Sequence, residues 1–134
     1  MNTQTDTALE PELVDELILQ QMIKDTCAEI MPTLIEHYIE ESRERVEKIL
    51  QALSNQDKEM MEFEVHTLGS SALALGNRTL SRHARTIEKH CVEGDTNLAF
   101  ELCQSLPELA EQSFLALSQR KEQGFEDEAG RERI

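Results

Sequence analysis

The strongest constraint on how this chain folds is a series of long runs in which apolar side chains recur every three or four residues, divided by short turn signals. At about 100° per residue that spacing gathers them on one helix face, and no run alternates long enough to argue for a strand. Leu, Glu, Ala and Gln fill the runs, while Trp is absent and only three prolines occur. Such runs favour helices on intrinsic propensity, and the expected class is all-α.

A first amphipathic helix is expected from about Pro11, with Leu13, Val14, Leu17 and Ile18 as its stripe. A second begins near Pro32, carries Ile35, Ile39, Val46, Ile49, Leu50 and Leu53 on one face, and ends at Ser54 and Asn55. A third runs from near Asp57 to Gly76, and a fourth from Asn77, as its N-cap, to Gly94. The last starts around Asp95 or Thr96 and is kinked or restarted at Pro107, where Ser105 and Glu108 have the spacing of a capping box. Short connections between long helices make sequential neighbours antiparallel. The expected architecture is therefore an up-and-down antiparallel four-helix bundle with a short additional N-terminal helix across one end. A length of 134 residues suits one domain, placed at 11–122, between a disordered N-terminus (1–10) and a disordered charged tail (123–134).

A formal net charge of -14 argues against a nucleic-acid partner, which needs clustered Lys and Arg. No apolar stretch is long enough to span a bilayer, and the first ten residues lack the pattern of a secretory signal, so no membrane association and a cytoplasmic location are expected. Three widely spaced cysteines, Cys27, Cys91 and Cys103, read as buried reduced thiols.

One residue stands apart from this pattern. On the third helix Met61, Val65, Leu68, Ala72 and Leu75 form a narrow core stripe, and His66 points about 140° from its centre. Gly69 and Ser70 flank the ring one turn on. Gly in a helix interior costs about 1 kcal/mol against Ala, so its presence asks for a reason, and small residues let a partner's backbone come close. Phe63 and Leu73 lie on the same outward face, where polar residues are expected. An apolar rim around a polar centre has the character of a docking surface, although single surface apolars also occur without one. Imidazole supplies a neutral nucleophilic nitrogen near neutral pH. An acceptor of phosphoryl groups requires little more, because catalysis lies in positioning and in electrostatic clamps that a partner carrying Mg²⁺ supplies.

The segment from His66 through Leu68, Ser70, Ser71 and Gly76 to Leu80 resembles the signature of histidine-containing phosphotransfer domains. That signature has leucine at +2, small residues at +4 and +5, glycine at +10 and leucine at +14. Ala84, Ile87, Glu88 and the Gly94-Asp95 turn continue the resemblance, which covers about residues 11–120 with its specific part at 60–95. It implies a phosphocarrier of a two-component phosphorelay, exchanging phosphate on His66 with the receiver domains of a hybrid sensor kinase and a response regulator. The carrier is expected to be a monomer that binds no cofactor of its own, with Mg²⁺ in the partner. Glu88, 22 residues downstream, occupies the position that orients the imidazole in many members. Phe63, Gly69, Ser70 and Leu73 are the expected receiver-docking residues. The family usually has Lys at +3, where this chain has Gly69. A substitute charge is expected from Arg85, within the stripe Arg78, Arg82, Arg85 and Lys89; that stripe also reads as a solvated face of salt bridges to the acidic second helix.

The alternative is a non-phosphorylated helical interaction module that docks a signalling partner. A metal site from His83, His90, Cys91 and Cys103 lacks the i, i+4 spacing of helical zinc ligands, so none is expected. No phosphate loop, nucleophile elbow or nucleotide motif marks an enzyme in its own right.

Overall fold

The computed structural model describes residues 13–127, and among them it contains six α-helices and no strand. They are α1 (Glu16–Asp25), α2 (Met31–Asn55), α3 (Lys58–Ala74), α4 (Arg78–Glu93), α5 (Thr96–Cys103) and α6 (Leu106–Glu122), with a 3-10 turn at Ala28–Ile30. No described helix is long and apolar enough to cross a membrane.

Helix α2 packs on α3 and α6, and α4 packs on α3, α5 and α6. The core between them is the set of apolar stripes read from the period. Ile35, Ile39, Val46 and Ile49 of α2 are buried, as are Met61, Val65, Leu68 and Ala72 of α3 and Leu80, Ala84, Ile87 and Cys91 of α4. Phe114 of α6 is fully buried and meets Tyr38 edge to face, with ring centroids 5.8 Å apart.

Several expectations need correction. Helix α1 begins after Asp15, whose carboxylate accepts from the Leu17 amide, and Pro11 lies outside the described residues. Its buried face is Leu19 and Ile23, whereas Leu17 is 80% exposed. Each such buried side chain stabilises the docking of the helix by about 1.5–3 kcal/mol. Leu50, assigned to the α2 stripe, is largely at the surface, and Tyr38, Ser42 and Ala52 complete the buried face instead. The predicted break near Pro107 is a full restart: α5 ends at Cys103 and α6 begins at Leu106. No side-chain cap forms there, because the Ser105 hydroxyl turns back to the Leu102 carbonyl and to His83. Of the cysteines, Cys91 and Cys103 are buried but Cys27 is exposed. Burial pushes the Cys103 thiol up to about 11, and pushes the Cys91 thiol up as well.

The turn between α3 and α4 anchors α1. Gly76 has φ of +87°, and a Cβ there would stand 3.1 Å from the Asp15 carbonyl oxygen, so only glycine fits without strain. In return the Asp15 amide donates to the Gly76 carbonyl at 2.7 Å. Asn77, expected to cap α4, makes no side-chain cap. It is fully buried and takes three other partners: its Oδ1 accepts from Tyr38 Oη at 2.8 Å, and its Nδ2 donates to the carbonyls of Leu13 and Ser113. One amide thus ties α2 and α6 to the segment before α1.

Of the ends expected to be disordered, residues 1–10 and 128–134 lie outside the described residues. Residues 123–127 follow α6 without helix; Phe125 lies under the Arg120 guanidinium, and Asp127 accepts from the Ala28 amide at 2.6 Å.

Candidate functional site

With Met61, Val65, Leu68 and Ala72 committed to the core, the helical period turns His66 outward, and its side chain is 63% exposed. The imidazole is nevertheless held. Its Nδ1 stands 2.7 Å from Oε2 of Glu88 on α4. A carboxylate only accepts, so Nδ1 is the donor, and in the neutral form of the ring the lone pair lies on the other nitrogen, Nε2. Glu88 lies at the border of the α4 core stripe, and its side chain is three-quarters covered.

A shallow depression of about 450 Å³ adjoins the ring, lined by Lys58, Glu59, Glu62, Phe63, His66 and Glu88. Phe63 is 64% exposed and Leu73 is 38% exposed, so both apolar side chains stand at the surface on the histidine's helix. Ser70 is exposed as well. A roomier hollow of about 590 Å³ lies between the start of α1 and the end of α6, but its charged lining is taken up by the Arg78–Asp15 and Arg120–Glu16 ion pairs.

Gly69 does not belong to the outward face. It is buried against α4, where an added Cβ would meet Arg85 Cγ at 3.2 Å and Ala84 Cβ at 3.6 Å. The close approach that it permits is that of the neighbouring helix. Arg85 has its Nε 3.3 Å from the Ser81 hydroxyl, which itself donates to the Gly69 carbonyl at 2.7 Å. Within the basic stripe, Arg78 pairs with Asp15 rather than with α2.

Sequence reasoning missed Lys58, Glu59 and Glu62 as lining of the depression beside the ring, and Ser81 as the hydroxyl that Arg85 meets. Glu62 was within reach of the helical period, being one turn before His66 on its own face. Nothing in the sequence marks Ser81. A second acid near the histidine in sequence, Glu64, faces the other way: it is 6% exposed and pairs with Arg45 of α2 at 2.8 Å.

His83, His90, Cys91 and Cys103 do not converge as one ligand set. His83 Nε2 lies 3.0 Å from the Leu102 carbonyl, and both cysteines are buried in the core. Among the described residues a different trio, His90, Glu93 and Asp95, brings ligand-type atoms within 4.8 Å of one another at the end of α4, in a setting where exposed acids are common without an ion.

The site is thus an exposed imidazole whose Nδ1 meets a carboxylate of the neighbouring helix, within an all-α fold. The model of the Hpt domain matches residues 33–117, more than half of the chain, and the chain belongs to that family of histidine-containing phosphotransfer domains. The fold is similar to that of the crystal structure of histidine-containing phosphotransfer protein B from Pseudomonas aeruginosa PAO1. The TM-score is 0.75 at 16% sequence identity, over 84% of this chain and 96% of that one. No curated protein matches the chain in sequence.

Proposed function

We propose that this chain is a phosphocarrier of a two-component phosphorelay, which accepts and returns a phosphoryl group on Nε2 of His66. The observation that carries the proposal is the Nδ1 contact with Glu88 at 2.7 Å on a ring that is otherwise open to solvent. With the proton on Nδ1, the Nε2 lone pair forms the N–P bond while the acyl-phosphate O–P bond of a receiver aspartate breaks. The aspartate leaves as a carboxylate. The positive charge that appears on the ring lies against Glu88, so no proton has to leave. The receiver supplies Mg²⁺ and the charge clamps; this chain supplies a held nucleophile and needs no cofactor of its own. Helices α2, α3, α4 and α6 serve as the antiparallel four-helix bundle of the carrier, a reading supported by their order of packing. Phe63, Ser70 and Leu73 form the face that meets receivers, supported by their exposure.

The test is transfer of label from a receiver domain charged with acetyl phosphate. The wild-type chain is expected to take up label that is acid-labile and alkali-stable, as a phosphoramidate is. His66→Gln is expected to abolish uptake with the helical circular dichroism unchanged. Uptake at the wild-type level in His66→Gln overturns the assignment. A folded wild-type chain that binds a receiver yet takes no label favours the interaction module without chemistry.

A further inference from the structure

A phosphoryl group on His66 brings between one and two negative charges to a surface that is already acidic. Glu88 holds the ring, and Glu62 and Glu59 line the depression beside it, against Lys58 about two helical turns away along α3. Such a group is best stabilised where a cation bearing N–H donors can reach its oxygens.

The structure supplies one on the opposite side of the ring. The antiparallel register that sets Glu88 against His66 sets Arg85 against Gly69, one turn further along α3. No side chain intervenes there, and the 3.2 Å between an ideal Gly69 Cβ and Arg85 Cγ shows that the arginine stem occupies the space a larger residue would fill. Ser81 is 2% exposed, and its hydroxyl joins the two helices by donating to the Gly69 carbonyl at 2.7 Å while receiving Arg85 Nε at 3.3 Å. The residue as a whole remains exposed, so the guanidinium still has N–H donors to offer a ligand.

We propose that Arg85 is the cationic group of the His66 site, that Gly69 is the slot admitting its stem, and that Ser81 is the positioning residue that holds it across α3. This inference rests on the phosphocarrier reading. When the N–P bond forms at Nε2, Arg85 keeps its Nε on Ser81 and turns its terminal N–H groups toward the phosphoryl oxygens one turn away; no further covalent bond is made or broken.

The experiment compares single and double variants for the rate of label uptake from a charged receiver and for the lifetime of the labelled histidine, each per folded molecule as judged by thermal melts. Arg85→Ala is expected to lower both by about five- to tenfold, the scale of one charge in a solvent-screened setting. Gly69→Lys in the Arg85→Ala background is expected to restore both to within about twofold of wild type, since the cation returns from the other helix into the vacated slot. Ser81→Ala alone is expected to slow uptake about two- to threefold, and to do nothing more once Arg85 is Ala. A merely structural serine would instead add its effect in both backgrounds, which overturns the positioning role. Arg85→Ala at the wild-type rate, or a loss found in Lys58→Ala instead, overturns the inference while His66 labelling, and with it the phosphocarrier reading, stands. A wild-type chain that takes no label on His66 overturns both.

Discussion

The α3–α4 hairpin carries two polar constellations that look alike as contact patterns and differ in burial. At its turn, Asn77 is fully buried and bonded to Tyr38, Leu13 and Ser113. Midway along, His66 is bonded to Glu88 through one nitrogen and is mostly open to water. A buried amide must have every partner in place, because an unpaired group cannot turn to solvent. The exposed imidazole is free of that demand, and in the proposed function its second nitrogen is the one that does the chemistry. The first constellation holds the fold, and the second uses the fold as a platform.

Removing the buried member tests this contrast most sharply. Asn77→Ala takes the donor from the Leu13 and Ser113 carbonyls and leaves the Tyr38 hydroxyl only its contact with Ser42, and should cost about 3 kcal/mol, lowering Tm by roughly 10 °C. Label uptake by the molecules that remain folded should be unchanged. A melt like that of the wild type would show that the buried cluster is not what holds the helices in place.

On the exposed side the effects should reverse. Phe63→Ala should weaken receiver binding about tenfold, or ~1.4 kcal/mol, with little change in Tm, because the ring already stands in water. Titration against a receiver domain and a thermal melt decide it; a large fall in Tm at unchanged affinity would place Phe63 with the packing residues.

The smallest effect is expected at an exposed pair with no chemistry to do. Arg120 bonds Glu16 at 2.7 and 2.8 Å and straps α1 to α6, and this guanidinium holds the Glu16 carboxyl below its usual range. A carboxyl lowered in the folded state adds stability above its unfolded pKa and loses it as pH falls through the folded value. Glu16→Gln should therefore cost under about 1 kcal/mol at neutral pH, since the pair is solvent-screened, and nothing at a pH acid enough to protonate the carboxyl in the folded state. Denaturant unfolding of both proteins at the two pH values checks the sign. A cost that grew in acid would contradict it.

Much of this was legible in the linear chain. The core stripes of α3 and α4, and the departure of His66 from the first of them, follow from a period that is local to each helix. The offset of 22 residues that leads from His66 to Glu88 came from resemblance to a family, and the structure brings the two side chains together. The misread positions share a cause. Asn77 has the right residue type for a cap, yet Tyr38 and Ser113 draw it inward from 39 and 36 residues away. Leu17 fits an apolar stripe, but the stripe that α1 buries depends on where Asp15 docks against Gly76. Gly69 reads as a gap left for a partner until α4 fills it with Arg85. Periodicity states which face of a helix is apolar, because the 3.6-residue turn is a property of the backbone alone. Which neighbour covers that face, and at what register, depends on side chains far apart in sequence, and that is where the buried amide, the slot at Gly69 and the reach of Arg85 come into being.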